Sequence, residues 1–371
     1  MKLVTLHLSN VRNYAQLNLE PADGLNVFVG PNAQGKSNLL EAISLLGTGK
    51  SFRTSRERDL IREGFELATI SGEARVRAGS IRLGCTITAT PRGTRKMYTI
   101  NGRNVRYAKF LGSIRVVTFV PADLQLVTGP PSARRTFLNM ALSQEQKNYY
   151  HELARYQKAL TQKRTLLRAQ HEPDPELLQI YNETLIESGT AIMLARAQFI
   201  GVIGSAAGKV HAQWTGSEKL EVRYEPSVSL DVPDSASVAG EFTERLRVTA
   251  AQERARGMSL VGPHRDDLQL ILNDRSLAAF GSQGQQRTAV LALKVAEYSV
   301  MQERSGEAPL LLLDDVLSEL DPQRASAFME GVGGFEQAFI TATHLPPDLP
   351  PSRLYSIGNA VLEVERERAQ A

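Results

Sequence analysis

The stretch Leu25-Asn26-Val27-Phe28-Val29-Gly30-Pro31-Asn32-Ala33-Gln34-Gly35-Lys36-Ser37 decides how this chain is read. Its first five residues form a short, mostly apolar strand, and residues 30–37 fit the pattern G-x-x-x-x-G-K-[ST]. Each position has a chemical reason. Gly30 and Gly35 permit backbone angles that aim successive N–H groups inward at phosphate oxygens. Pro31, Asn32, Ala33 and Gln34 supply the loop between them. Lys36 reaches the β- and γ-phosphates, and the Ser37 hydroxyl ligates magnesium. Beyond the loop, Leu39, Leu40, Ile43 and Leu46 recur at helical spacing, so the positive end of a helix faces the same phosphates. Strand, glycine turn and helix stand in the order a phosphate loop needs. That context favours ATP with Mg2+ over a glycine turn carrying an idle lysine.

Outward from the loop, the pattern alternates between β and α. Leu3, Leu6 and Leu8 read as one strand, and Leu17 and Leu19 as another. Residues 66–120 read as a run of strands with turns at Gly79, Pro91-Arg92-Gly93 and Asn101-Gly102, the last a good hairpin turn. The character changes near Pro121. Ser132 to about Gly208 is helical in pattern, with Leu153, Leu160, Leu166 and Leu167 before the breakers Pro173 and Pro175, and Leu177, Leu178, Leu185 and Ile192 after them. The two halves can fold as a helical hairpin. Sustained heptads are absent, so a compact helical lobe is expected and no long coiled coil. Pro226–Ala239 reads as a loose connection and Glu241–Arg256 as a helix. After Gly262 come a strand at Leu268–Leu272, a glycine turn and helix over Ser282–Arg304, and apolar strands at Leu310–Leu313 and Ala338–Thr343. The expected organisation is therefore a discontinuous ATP-binding α/β lobe, residues 1–120 and 257–371, split by a helical insertion lobe, residues 121–256.

A chain of 371 residues, 42% hydrophobic and 22% charged, is ordinary globular material with room for a sizeable core. Its one cysteine, Cys85, lies in the alternating run Ile81–Thr88 and reads as a strand residue; a reducing compartment is the simplest setting. Met1–Asn10 lacks a signal-peptide core, and no run approaches eighteen apolar residues, so no membrane span is expected and the cytoplasm is the expected location. The net charge of +3 says little, but its distribution says more. Arg92, Arg95, Lys96, Arg103, Arg106 and Lys109 cluster without an acid among them. Arg53, Arg56, Arg58 and Arg62 form a second cluster, diluted by Glu57 and Asp59. Either could be a solvated face. Tyr98 and Tyr107, interleaved with the first, tilt the reading towards nucleic acid.

Two further segments carry chemistry. Leu310-Leu311-Leu312-Leu313-Asp314-Asp315 places two carboxylates at the end of a buried strand. In phosphate-loop proteins a carboxylate there belongs to the magnesium shell, a role expected of Asp314; Asp315 could orient or deprotonate the attacking water. Gly281-Ser282-Gln283-Gly284-Gln285-Gln286 precedes a helix, with Ser282 a natural N-cap that offers N–H groups and a helix dipole to an anion. His344, after Phe339–Thr343, would by itself be a structural histidine.

In order and content these elements resemble an ABC-type ATPase: phosphate loop, signature turn, aspartate strand, the loop Ser318-Glu319-Leu320-Asp321, then His344. Within that class the chain closely resembles the RecF family of bacterial recombination mediators. The resemblance rests on Leu8-Ser9-Asn10-Val11-Arg12-Asn13-Tyr14, on Gly30–Ala42, on Gly49-Lys50-Ser51-Phe52-Arg53 and on Gly262-Pro263-His264-Arg265-Asp266-Asp267-Leu268. It implies an ABC-type ATPase head with mixed β-sheets, an inserted α-helical lobe and no SMC-type arms. It implies a cytoplasmic protein of DNA repair, replication and the SOS response that binds ATP, dimerises on it and hydrolyses it weakly under DNA stimulation. The implied partners are DNA (single-stranded or junction, independent of sequence), RecO and RecR, which together load recombinase at gaps. Ser282, Gly284 and Gln285 would complete the ATP site of a second copy, and His344 would contact the γ-phosphate. Asn32, Asn38 and Arg53 would lie near the phosphates, and Gln125 is the nearest candidate for the glutamine loop of the class.

One departure from the wider class is informative. The residue after the magnesium aspartate is usually glutamate there; here it is Asp315. One methylene fewer withdraws the carboxylate by about 1.5 Å, so slow hydrolysis is expected. Two other readings compete: the ATP-binding subunit of a membrane transporter, and a structural DNA-binding protein whose nucleotide site does not gate it. The helical insertion, the basic hairpin and Asp315 argue against the transporter.

Overall fold

The structure, a computed structural model, describes residues 1–169, 173–316, 326, 328, 335–345 and 352–368. In chain order, the elements up to the first unit boundary are β1 (Lys2–Val11), β2 (Tyr14–Leu19), β3 (Gly24–Val29), α1 (Lys36–Thr48), β4 (Leu67–Val76), β5 (Gly79–Thr90), β6 (Gly93–Ile100), β7 (Arg103–Val105), α2 (Tyr107–Phe110) and β8 (Val116–Phe119). There follow α3 (Gln125–Thr128), α4 (Pro131–Glu145), α5 (Lys147–Leu167), α6 (Pro175–Thr215), β9 (Leu220–Glu225), α7 (Ser235–Arg256), β10 (Asp267–Leu272), β11 (Arg275–Ser276) and α8 (Leu277–Phe280). The rest are α9 (Gln283–Ser305), β12 (Leu310–Asp314), β13 (Gln337–Ala342), β14 (Ser352–Gly358) and β15 (Val361–Arg368). The chain divides into two units, Met1–Asp123 with Leu291–Ala371, and Leu124–Val290.

The first unit is built around α1. Leu39, Leu40, Ile43, Leu45 and Leu46 are each 0% exposed, which at about 1.5–3 kcal/mol per buried aliphatic side chain is a large share of the local stability. A helix buried all round needs cover on both faces. One cover is an antiparallel sheet of order β2-β1-β4-β5-β6-β7; the other has order β15-β14-β3-β13-β12-β8, parallel except for β15. Leu6, Ile70, Cys85 and Ile87 from the first sheet and Leu310, Leu312 and Phe339 from the second share one core with α1. Burial raises the Cys85 thiol pKa to about 12, so it is an inert strand residue.

The second unit is helical with a small antiparallel sheet of order β11-β10-β9. Asp174 caps α6, accepting from Glu176 and Leu177 N–H at 2.9 and 3.3 Å, and Pro175 takes the first helical position. α5 and α6 pack as the expected hairpin. α6 is long and apolar enough to cross a membrane by composition, with a mean hydropathy of 1.4 over eighteen residues. Its apolar residues do not form one run, because Glu183, Glu187, Arg196 and Lys209 interrupt them. Its inner face explains the composition: Leu185, Ile192, Phe199 and Ile203 are core residues, and Arg196 and His211 lie buried among them.

Arg196 donates to Pro263 O (2.7 Å), Asp266 Oδ2 (3.1 Å), Asn139 Oδ1 (2.9 Å) and Tyr149 Oη (3.2 Å). Asp266 also accepts from Ser227 N–H at 2.8 Å and from the Tyr224 hydroxyl. Asp267 pairs with both arms of Arg134 at 2.7 and 2.8 Å. The 262–268 stretch thus supplies, through the buried Asp266 and the partly buried Asp267, a polar knot within this unit.

Two sequence expectations shift. The junctions fall at 123/124 and 290/291, against the expected 120/121 and 256/257. Residues 257–290 stay with the helical unit because β10 pairs with β9 from Asp267↔Glu225 to Leu272↔Leu220. Pro226–Ala239 is not all connection, since α7 already starts at Ser235 behind the Asp234 cap. The loop Ser318–Asp321 lies outside the described residues.

Candidate nucleotide-binding site

The parallel register brings the pieces of the first unit together. β13 lies between β3 and β12, with Thr341 opposite both Phe28 and Asp314. The loop 30–35 leaves the C-terminal end of β3, and Asp314 ends β12, so loop and carboxylate share one edge of the sheet. Ligands of α/β sheets bind at that edge.

The loop shows why its residues are what they are. Gly35 sits at φ 113°, and a Cβ there would meet Asn13 Nδ2 at 2.7 Å. Gly30 has no room either, because a Cβ would stand 2.2 Å from Ile357 O. Ala33 is also left-handed, at φ 65°. Side chains brace the loop from two turns. Asn13 donates to Gln34 O at 3.2 Å and accepts from Asn38 at 2.7 Å, while the N–H groups of Asn359 and Ala360 bond Gln34 Oε1 (2.6 Å) and O (3.1 Å). The Tyr14 hydroxyl donates to Gly35 O at 3.1 Å.

Lys36 is 7% exposed and its amine curls over the loop to the carbonyls of Gly30 and Pro31, the latter at 2.9 Å. Burial lowers its pKa, and the charges of Asp315 and Asp314 act against that. Both carboxylates at the end of β12 therefore lie close enough to act on the phosphate-loop lysine. Ser37 follows in the first turn of α1, half-buried.

Four residues to which sequence reasoning gave no role, Thr341, Glu41, Arg12 and Ser51, complete the arrangement. The Thr341 hydroxyl donates to Asp314 Oδ1 at 2.8 Å and accepts from Asp315 N–H at 2.9 Å. Asp315 lies at φ 56°, so this contact holds a left-handed residue at the strand end. Glu41, 1% exposed inside the apolar α1, takes both arms of Arg12 at 2.9 Å, and the Ser51 hydroxyl donates to it. Arg53 adds a longer contact to Glu41 at 4.0 Å and donates to Asn38. A charged residue among buried leucines is the one sequence signal that could have revealed this network; nothing comparable marks Thr341.

Among the other expected site residues, His344 is exposed two residues past β13. Ser282, Gly284 and Gln285 belong to the second unit, where Ser282 and Gln285 cap α9 reciprocally: Ser282 N–H to Gln285 Oε1 at 2.9 Å, and Gln285 N–H to Ser282 Oγ at 3.3 Å. Gln125 starts α3, also in the second unit. Among the described residues no group of three His, Cys, Asp or Glu could hold a metal. One hydroxyl and one carboxylate are the sparse protein set that magnesium takes beside substrate phosphates, so Ser37 and Asp314 fit it.

The basic clusters are sorted by the structure. Lys96 is an inward residue, paired with Glu57 at 2.8 Å and bonded to Gly49 O at 3.0 Å, 7% exposed. Tyr98 and Tyr107 also turn inward, donating to Gly49 O (3.3 Å) and Thr48 O (2.6 Å) at the end of α1. None of the three is displayed to a partner, which removes the aromatic support for a nucleic-acid face. Arg56, Arg58, Arg92, Arg95, Arg103, Arg106 and Lys109 are exposed. Glu57 turns to Lys96 and Thr94, and Asp59 accepts from Thr54 at 2.8 Å, so the nearby acids are engaged. Arg56 and Arg58 line a groove of about 680 Å³ with Thr90 and Thr94.

Comparison with known proteins adds the lineage. Residues 2–346 match the RecF/RecN/SMC N terminal domain. The DNA replication and repair protein RecF of Symbiobacterium thermophilum is 44% identical over 352 residues, covering 93% of this chain and 92% of that one. RecF of Bacillus cytotoxicus is 40% identical, covering 92% of each. A solved structure of the recombination mediator protein RecF-ATP in the RecFOR pathway superposes with a TM-score of 0.92, 32% identity and 98% of each chain. An Smc head bound to the C-winged helix domain of ScpA, 16% identical with a TM-score of 0.56, shares the fold.

Proposed function

The chain belongs to the RecF family, an ATP-binding ABC-type lineage of DNA repair and replication, and from that premise we propose that it is an ATP-gated DNA clamp whose nucleotide site is completed by a second copy. The observation that carries the reading is the shared sheet edge: the loop 30–37, with Lys36 under the charge of Asp314 and Asp315.

In this reading the loop N–H groups and Lys36 bind the phosphates, while Ser37 and Asp314 hold magnesium, which neutralises phosphate charge when bound. Asp315 orients the attacking water. Its N–H is tied to Thr341 and its side chain is one methylene shorter than glutamate, which supports slow hydrolysis and ATP acting as a timer of dimerisation. Asn32, Asn38 and Arg53 stand beside the phosphates, and His344 meets the γ-phosphate. Ser282, Gly284 and Gln285 offer the start of α9 to the nucleotide held by the partner copy.

The exposed arginines near the 680 Å³ groove support contact with the DNA backbone, electrostatic and independent of sequence. Action with RecO and RecR at gaps and junctions, stimulation of ATP turnover by DNA, a place in the SOS response and a cytoplasmic location complete the proposal. Family membership sets aside the transporter subunit.

The test is sedimentation with and without ATP and magnesium, then with DNA. The parent chain is expected to dimerise with ATP and tighten on DNA, and Lys36→Arg to do neither. If Lys36→Arg still dimerises and still responds on DNA, gating is lost and a DNA-binding protein with a passive nucleotide site remains.

A further inference from the structure

The turn before α9 owes its shape to a residue sixty-odd positions upstream. Gln285 Nε2 donates to Glu218 Oε1 at 2.6 Å. A carboxylate only accepts, so the Gln285 amide must present its nitrogen to Glu218 and its oxygen the other way. That oxygen is the one that receives Ser282 N–H at 2.9 Å. Ser282 Oγ accepts from Gln285 N–H, which leaves the hydroxyl proton available for an acceptor outside the turn. A flipped amide would set its NH2 group against Ser282 N–H, two donors face to face, and the cap would open.

Glu218 is itself immobilised. It follows the end of α6, where Gly216 N–H bonds Ala212 O at 2.8 Å. The next residue, Lys219, exchanges two hydrogen bonds with Asn273: N–H to Oδ1 at 2.8 Å, and O from Asn273 N–H at 3.0 Å. The second carboxylate oxygen faces the buried His211 ring at 3.8 Å. A capping box alone would fix the helix start; it would not choose which way the glutamine amide points. The charge-assisted bond to Glu218 makes that choice.

We infer that Glu218 is a positioning residue for the Ser282 turn, acting through Gln285 to keep the Ser282 hydroxyl ready for the γ-phosphate bound to a second copy. The inference rests on the proposed composite site.

The experiment is ATP-induced dimerisation by sedimentation, beside ATP binding to the monomer. Glu218→Leu is expected to weaken the dimer about tenfold, the scale of one hydrogen bond to a charged group, with monomer ATP affinity unchanged. Glu218→Gln, which still offers an oxygen to Gln285, should recover most of the loss. In a Gln285→Ala background Glu218→Leu should add nothing, because the pathway is already cut. Unchanged dimerisation in Glu218→Leu, or the same loss with Gln285 already absent, overturns the inference. Ser282→Arg separates the two levels. If it dimerises like the parent, the composite site falls and this inference with it. If it abolishes dimerisation while Glu218→Leu does not, only the positioning role is lost.

Discussion

Thr341 and Asp314 are joined by a 2.8 Å hydrogen bond in which the threonine hydroxyl donates to Oδ1 of the carboxylate, and the same hydroxyl accepts the neighbouring Asp315 N–H. One buried hydroxyl therefore fixes the Asp314 carboxylate and the Asp315 backbone, and in the proposed site Oδ2 of Asp314 would be the oxygen that meets magnesium. Thr341→Val keeps the shape and removes both bonds. It is expected to lower magnesium-dependent ATP turnover about tenfold, as loss of a hydrogen bond to a charged group would, with metal-free nucleotide binding unaffected. Thr341→Ser should behave as the parent. Steady-state turnover across a magnesium titration checks this, and a Val variant with parental turnover would remove Thr341 from the site.

Asp315, in its proposed role of orienting water, carries a side chain one methylene shorter than glutamate, and its backbone is left-handed. Lengthening the side chain brings the carboxylate nearer a water on the γ-phosphate. Asp315→Glu is expected to hydrolyse ATP several-fold faster with similar ATP affinity, and to shorten the life of the ATP-bound dimer. A slower variant would contradict the timer role.

The arginines of the first basic cluster and its inward-turned Lys96 should separate cleanly. Replacing Arg92, Arg95, Arg103 and Arg106 by glutamate is expected to weaken DNA binding and to flatten its salt dependence, by about 0.9 in log–log slope for each DNA phosphate that is no longer neutralised. Lys96→Ala should instead cost stability, about 1–3 kcal/mol for the lost hydrogen bonds of its buried ammonium, with little change in the salt slope. Binding isotherms at several salt concentrations, beside thermal melts, distinguish the two.

Acid should loosen the second unit. His264 Nε2 donates to Ser259 O at 3.1 Å, so the neutral ring takes the Tyr156 hydroxyl on Nδ1 at 2.6 Å, and burial lowers its pKa to about 4. Its folded pKa lies below the unfolded value, so the unfolded chain binds more protons and stability rises with pH. The contribution is whole above about pH 6.5 and falls away as pH drops through 4, by about 3 kcal/mol at most. His211, also lowered by burial, acts in the same sense. Denaturant melts between pH 4 and 7 should show the decline, smaller in His264→Gln. An unchanged slope in that variant would assign the decline elsewhere.

The sequence by itself determined what depends on neighbours along the chain. The loop between β3 and α1 was legible because glycine, lysine and serine positions are set by local backbone angles and one helix terminus. The strand Leu310–Asp314 was legible because its apolar run is too short for a helix and ends at two carboxylates, as a strand buried on both faces does. Motif order was enough for the family and the fold class. The tertiary structure decided what depends on who meets whom. Residues 257–290 read as α/β and yet join the helical unit, because β10 finds its partner in β9, a pairing that no local pattern encodes. Lys96, Tyr98 and Tyr107 looked like a displayed basic and aromatic face; strand alternation and the end of α1 turn them inward. Thr341, an ordinary strand threonine in sequence, becomes the link between two aspartates because β13 runs beside β12 in that one register. Glu218 and Gln285 meet only because α6 ends beside the start of α9. In each case the deciding contact joins residues far apart in the chain, and its physical basis is burial and hydrogen-bond pairing that the folded backbone alone brings within reach.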